Sequence, residues 1–144
     1  MRSLTPYLLS LTAAFATYTH AKDSNAVSLT QETFYDFISE HDLVLANFYA
    51  PWCRYSKALA PKFEKAATQL KKENIPLVKV DCTREEKLCS DFEIDAFPTL
   101  KVFRGPESHE PYDGGRRTDS IISYMRIISY ITDEAISTGA RADL

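Results

Sequence analysis

The sequence has few cysteines, few glycines and no long apolar run, and each shortage excludes a class of protein. Three cysteines among 144 residues are too few for a small domain held together by disulfides. Four glycines and seven prolines exclude a collagen-like or low-complexity chain. No segment reaches the roughly 18 uninterrupted apolar residues of a membrane-spanning helix. We therefore expect one domain folded around a hydrophobic core.

An excess of positive charge is also missing. The chain carries 17 basic and 20 acidic residues, which gives a formal net charge of −3. Because nucleic-acid binding needs a clustered positive surface, no nucleic-acid partner is expected. His41 and His109 do not stand at metal-ligand spacing from the cysteines, and no phosphate-binding glycine loop is present. The sequence therefore predicts neither a metal site nor a cofactor.

Residues 1–21 have the pattern of a secretory signal peptide. Arg2 supplies a positive start, residues 4–16 are largely apolar, and Thr19-His20-Ala21 places small residues where a signal peptidase reads them. An N-terminal anchor or an unstructured tail is the other interpretation. Removal of residues 1–21 would leave a secretory-pathway protein without a membrane segment, in a compartment that permits disulfides.

From residue 26 onward, strand and helix patterns alternate. Strands are predicted at 27–29, 43–49, 77–80, 99–103 and 111–112, and helices at 31–40, 53–72, 84–92 and 118–131. This order predicts an α/β fold, with a mixed central sheet and helices on both faces. Residues 132–144 lose the periodicity and are predicted to be a disordered tail, so the domain is expected to span 22–131.

Three segments, in the same order along the chain, resemble the protein disulfide isomerase branch of the thioredoxin superfamily. They are residues 48–53 (FYAPWC), 57–61 (KALAP) and 97–101 (FPTLK). Cys82 and Cys89 are similar to the second cysteine pair in the first catalytic domain of fungal members. The resemblance implies a thioredoxin fold and thiol–disulfide chemistry on unfolded or misoxidised secretory proteins. It also implies the endoplasmic-reticulum lumen or secretion, and it leaves the oligomeric state unknown.

Cys53 is the candidate catalytic residue, because it stands where a buried strand passes into a helix. Unpaired backbone donors and the helix dipole at this position favour the thiolate. At the ordinary pKa of about 8.5, only about 3% of a thiol is ionised at neutral pH. The resemblance implies that a cis peptide bond precedes Pro98 beside the sulfur, and that the loop of Phe97 and Pro98 receives the substrate. An inert buried cysteine and an ordinary trans proline are the alternatives.

Two positions depart from the family pattern. The family has two cysteines separated by two residues, and here Ser56 stands in place of the second, resolving cysteine. Asn47 replaces a glutamate that in the family accepts the proton of that thiol, so Lys57 loses the charge it would have faced. These changes predict that oxidase and reductase cycles are lost, while slow isomerisation through the single thiol of Cys53 remains.

The roles of the other neighbours stay open at this point. Tyr55 replaces a histidine that in the family helps to stabilise the thiolate. Arg54 either compensates for that loss as a nearby cation or is a solvated surface charge. Arg116 matches a family arginine that swings toward the second cysteine, and with Ser56 there a surface or capping role is equally open. Trp52 contributes to an apolar surround for the sulfur.

Two interpretations of the second cysteine pair, and two of the whole protein, follow from these residues. Cys82 and Cys89 form either a structural disulfide worth roughly 2–3 kcal/mol, or a redox-sensitive pair that alters the neighbouring site. The protein is either a weak single-thiol disulfide isomerase or a client-binding module that captures partners without turnover.

Overall fold

The structure is a computed structural model, and it describes residues 24–138. Within this range, five strands form one mixed sheet in the order β1-β3-β2-β4-β5. The strands are β1 (Val27–Ser28), β2 (Val44–Tyr49), β3 (Leu77–Asp81), β4 (Thr99–Phe103) and β5 (His109–Pro111). Strand β3 runs parallel to β1 and β2, while β4 runs antiparallel to β2 and β5. The predicted α/β fold with a mixed sheet is confirmed.

Helices cover both faces of this sheet. They are α1 (Gln31–Ser39), α2 (Arg54–Leu70), α3 (Glu86–Asp91) and α4 (Thr118–Ser137), with a 3-10 turn at Lys71–Glu73 after α2. Pro61 lies inside α2, as its sequence position predicts. The helices begin within two residues of their predicted starts, and a capping threonine marks the start of α1 while a strand-to-helix junction marks that of α2.

The central strand β2 supplies side chains to two hydrophobic cores. Successive residues of a strand point to opposite faces, so Leu45 packs in the core formed with α2 and α4, which includes Phe63 and Met125. Phe48 packs in the other core with Phe34 of α1 and with residues of α3. Strand β2 is therefore fixed on both sides, which makes it a rigid support for the residues that follow it.

The last helix is longer than the sequence pattern predicts. Helix α4 ends at Ser137, so the prediction of a disordered tail is wrong for residues 132–137. The prediction followed a stripe of buried residues, but α4 continues as a largely exposed helix beyond Ile128, the last side chain that packs against the core. Thr132 supports this extension, since its hydroxyl donates to the carbonyl of Ile128 at 2.9 Å.

Three further outcomes concern the ends of the chain and the sheet. Strand β5 begins earlier than predicted, at His109. The predicted signal peptide and residues 139–144 lie outside the described residues. In the described part of the chain, no helix combines the length and the apolarity that crossing a bilayer requires.

Candidate active site

Strand β2 and helix α2 place Cys53 at the junction that the sequence indicates. Cys53 caps α2 with extended backbone angles, φ −75° and ψ 125°. Its N–H donates to the carbonyl of Ala50 at 3.1 Å, and its own carbonyl accepts from the N–H of Lys57 at 3.0 Å. The first bond closes the turn after β2 and the second begins the helix. The thiol is thus carried at the positive end of α2.

The thiol of Cys53 is partly exposed and polarised by the first turn of α2. A hydrogen bond from the backbone N–H of Ser56 is the main cause that lowers the pKa of Cys53 below its ordinary value. The N–H of Tyr55 and the hydroxyl of Ser56 add to this effect, against an opposing contribution from desolvation. Because these donors stabilise the thiolate, Cys53 is both more ionised and a better leaving group than an ordinary cysteine.

A backbone carbonyl lies beside the sulfur, and the ring of the residue before Cys53 meets the ring of the residue that carries this carbonyl. Cys53 Sγ lies 3.5 Å from the carbonyl oxygen of Phe97, and the peptide bond between Phe97 and Pro98 is cis. The rings of Trp52 and Phe97 meet edge to face, with centroids 6.2 Å apart. Trp52 and Tyr55 are 69% and 68% exposed. The rings of Trp52 and Tyr55, close to Cys53 in the sequence, are therefore open to solvent, and their role around the sulfur stays a prediction.

Ser56 occupies a buried position below Cys53. It is 3% exposed, and its hydroxyl oxygen accepts from the backbone N–H of Ala50 at 3.4 Å. A hydroxyl at this place hydrogen-bonds the thiolate but cannot form a disulfide with it. The structure brings Cys53 and Ser56 into one turn of helix without providing a second sulfur.

Asn47 is buried in β2, and its cationic neighbour on the sheet is Lys79. Asn47 is 4% exposed, and among the described residues its side-chain oxygen Oδ1 has no hydrogen-bond partner. Register pairing sets Asn47 opposite Lys79 of β3, whereas Lys57 is exposed on α2. Lys79 is not among the residues predicted from the sequence. The available signal was that Asn47 and Lys79 are the polar residues that interrupt two buried strands.

The two arginines of the candidate site differ in their contacts. Arg54 is exposed on the first turn of α2. Arg116 reaches back toward Cys53, and its Nη2 donates to the carbonyl oxygen of Pro98 at 3.0 Å. Arg116 is an exposed residue with a defined contact to the loop beside the sulfur, and its role in exchange stays a prediction.

Cys82 and Cys89 form a disulfide, with their Cα atoms 5.7 Å apart. The bond joins the end of β3 to α3, and the N–H of Cys82 donates to the carbonyl of Tyr49 at 2.9 Å. Both cysteines line an open groove of about 680 Å³ that also reaches Phe97. Across residues 24–138, no group of three or more His, Cys, Asp or Glu side chains is arranged to hold a metal ion.

Comparison with known proteins agrees with this geometry. The sequence profile of the Thioredoxin family matches residues 25–127. Protein disulfide-isomerase of Aspergillus niger is 57% identical over 126 residues, covering 87% of this chain and 24% of that protein. The chain therefore belongs to the thioredoxin family, in its protein disulfide isomerase branch. It spans about a quarter of the length of the Aspergillus relative.

Solved structures also align with the domain. The crystal structure of human ERp44 form I aligns with a TM-score of 0.68 at 32% identity, over 73% of this chain and 29% of that chain. The first thioredoxin domain of mouse Protein disulfide-isomerase A4 aligns with a TM-score of 0.65 at 34% identity, over 83% of this chain and 87% of that domain. The match to one whole domain agrees with the single sheet described above.

Proposed function

We propose that this protein is a thiol–disulfide isomerase of the secretory pathway that works through the single thiol of Cys53. The observation that carries the proposal is a partly exposed thiol of lowered pKa whose neighbour in the active-site turn is Ser56. The Cys53 thiol can attack a substrate disulfide, but the Ser56 hydroxyl cannot displace the substrate by forming a disulfide with Cys53. Isomerisation is the reaction of this family that needs no second thiol.

The proposed reaction conserves the number of disulfides. The Cys53 thiolate attacks one sulfur of a wrongly paired substrate disulfide, forms a mixed disulfide and releases the other sulfur as a thiolate. That thiolate, or another thiolate of the substrate, attacks a second substrate disulfide, bonds to one of its sulfurs and releases the other as a thiolate. A last substrate thiolate attacks the mixed disulfide, forms the new substrate disulfide and returns Cys53 as a thiolate. No external oxidant or reductant enters this cycle.

The proposed location is the endoplasmic-reticulum lumen or the outside of the cell. The support comes from the signal-peptide pattern of residues 1–21 and from the Cys82–Cys89 disulfide, a bond typical of oxidising compartments. The proposed partners are unfolded or misoxidised secretory proteins.

The second candidate function is capture of clients without turnover. It is favoured by the exposure of Trp52 and Tyr55, large apolar side chains that would hold an unfolded chain beside Cys53. In this case the mixed disulfide forms and persists, because Ser56 provides no thiol to resolve it. The two candidates share their first step and differ in whether substrate is released in a rearranged form.

Refolding of ribonuclease with scrambled disulfides distinguishes the two. The purified protein is compared with Cys53→Ser and Ser56→Cys variants, and both ribonuclease activity and covalent adducts on Cys53 are followed. Recovery that depends on Cys53 in the unmodified chain supports the isomerase. Adducts on Cys53 without recovery support the capture module. Absence of both, in a folded protein, contradicts both candidates.

A further inference from the structure

Arg116 contacts the backbone of the segment that borders Cys53. Its Nη2 donates to the carbonyl oxygen of Pro98 at 3.0 Å, and the adjacent carbonyl of Phe97 lies 3.5 Å from Cys53 Sγ. Pro98 is buried, whereas the guanidinium comes from an exposed residue on another loop. The contact therefore links the loop before α4 to the segment that borders the reactive sulfur.

The loop that carries Arg116 is itself held in place. The hydroxyl of Tyr112 donates to the carbonyl of Gly115 at 2.8 Å. A Cβ on Gly114 would overlap that hydroxyl, so glycine is needed for the loop to pass this closely. Burial is the main cause that raises the pKa of Tyr112 to about 12, so the hydroxyl keeps its proton at neutral pH and remains a donor.

Tyr112 is in turn anchored in the body of the domain. Its ring packs against the core formed with α2 and α4, and it lies 4.5 Å from the ring of Tyr124, measured between centroids. A continuous series of contacts thus runs from the core through Tyr112 and Gly115 to Arg116, and from there to Pro98.

We propose that Arg116 is a positioning residue for disulfide exchange, which holds the Phe97–Pro98 segment in place for the backbone of an incoming substrate. This inference rests on the proposed function. The step it assists is attack of the Cys53 thiolate on one substrate sulfur, with departure of the other sulfur as a thiolate. Exchange needs the sulfur of Cys53 to be aligned with the substrate disulfide. A substrate chain docked on a fixed segment reaches this alignment more often than one docked on a mobile segment.

The contacts separate this positioning role from an electrostatic one. The hydrogen bonds that lower the pKa of Cys53 come from Ser56 and Tyr55. The guanidinium of Arg116 is directed to a carbonyl oxygen of the substrate-side segment instead. Loss of Arg116 should therefore slow exchange with substrates that have a peptide backbone and leave the ionisation of Cys53 unchanged.

The test measures the exchange of the protein with two disulfide compounds. One is a short peptide whose single cysteine is joined to 5-thio-2-nitrobenzoate, and the other is Ellman's reagent, which has no peptide backbone. Release of the coloured thiolate measures both exchange rates, and iodoacetamide alkylation across pH measures the ionisation of Cys53. The variants are Arg116→Gln, Arg116→Lys and Tyr112→Phe. The matched control is Arg117→Gln, because Arg117 is exposed and its nearest acidic group, Asp119, lies 3.9 Å away.

We expect Arg116→Gln to slow exchange with the peptide about fivefold, which corresponds to about 1 kcal/mol. Ellman's reagent and the alkylation profile should be unaffected. Arg116→Lys should restore part of the rate because it keeps a donor, and Tyr112→Phe should slow peptide exchange without any change of charge. Arg117→Gln should behave like the unmodified protein.

Three results would overturn the inference, and they are distinguishable. Equal peptide rates for Arg116→Gln and Arg117→Gln would show that the contact has no role in exchange. A shift of the alkylation profile that accounts for the slower rate would assign Arg116 an electrostatic role. Failure of the unmodified protein to exchange with either disulfide, while iodoacetamide still alkylates Cys53, would remove the proposed function and this inference with it.

Discussion

Asn47 and Lys79 are direct partners in the parallel pairing of β2 and β3, yet the lysine amine binds Glu64 of α2. The distance from Lys79 Nζ to Glu64 Oε1 is 2.8 Å, and the amine also lies 2.9 Å from the hydroxyl of Ser24. The cation beside position 47 is thus already neutralised by a neighbouring helix. A neutral amide at position 47 leaves no buried charge unpaired, which explains how the sheet tolerates the departure from the family pattern.

Asn47→Val should stabilise the protein by about 1 kcal/mol. The change removes the buried, unpartnered Oδ1 and places a good strand former in β2. Urea unfolding followed by circular dichroism measures the difference. Asn47→Ala is the control, since it also removes Oδ1 but leaves a space in the core. If Asn47→Val destabilises the fold as much as Asn47→Ala does, the amide contributes a favourable interaction.

Glu64→Gln should lower stability at neutral pH by about 1 kcal/mol, and the loss should vanish in acid. Partial burial opposes the ionisation of Glu64, but hydrogen bonds from Lys79, Ser24 and the N–H of Ala26 outweigh it and lower the pKa of the carboxyl. A lowered pKa gives stability that is fully present above the ordinary glutamate pKa of 4.5 and is lost as pH falls through the folded value.

Thermal unfolding of both chains between pH 3 and 7 checks this prediction. Glu73→Gln is the matched control, because Glu73 pairs with Arg126 on the surface and such pairs contribute little. A gap between Glu64→Gln and the unmodified protein that stays constant down to pH 3 would contradict the assigned ionisation.

Ser56→Ala should raise the pKa of Cys53 only partly toward its ordinary value. The variant loses the hydroxyl donor but keeps the backbone N–H of residue 56, which is the largest cause of the lowered pKa. Iodoacetamide alkylation, followed by mass spectrometry across pH, should place the inflection of the unmodified protein below the thiol value of about 8.5. The inflection of Ser56→Ala should lie between that of the unmodified protein and the ordinary thiol value. An inflection at or above the ordinary value in the unmodified protein would contradict the thiolate assignment.

Tyr55→Ala should reduce capture of an unfolded, cysteine-bearing client severalfold, without changing alkylation of Cys53 by iodoacetamide. Tyr55 offers a large exposed ring beside the sulfur, and loss of such a contact typically costs about 1 kcal/mol. Tyr130→Ala is the control, because Tyr130 is 72% exposed but lies on α4. Equal losses for the two variants would mean that the client binds general apolar surface rather than the surround of Cys53.

Replacing Cys82 and Cys89 together by alanine should lower stability by about 2–3 kcal/mol, since the bond closes a short loop between β3 and α3. Chemical unfolding measures this loss. The alkylation rate of Cys53 in the folded variant separates the structural interpretation from the redox-sensitive one. An unchanged rate supports a structural bond, and a changed rate supports coupling through the groove that reaches Phe97.

Much of the fold follows from local signals in the sequence, but the contacts that cross elements do not. The continuous apolar run of residues 43–49 predicts the central strand, and Cys53 after Trp52 predicts a thiol at the start of a helix. The contact of Arg116 with Pro98 and the pairing of Asn47 with Lys79 depend on loop path and strand register. The extension of α4 to Ser137 was missed because an exposed helix needs no buried stripe to continue.

A hydroxyl at Ser56 in place of a second thiol also changes how oxidation of the site depends on the surrounding small thiols and disulfides. Oxidation of a pair of protein thiols by a small disulfide consumes one small disulfide and releases two small thiols, so the oxidised fraction of the pair depends on the total concentration of the pool. Cys53 exchanges one thiol for one, so its occupancy by a mixed disulfide depends only on the ratio of the oxidised to the reduced form. Dilution of the small thiol and its disulfide at a fixed ratio would therefore leave the occupancy of Cys53 unchanged. The same dilution would oxidise a two-cysteine site in the same solution.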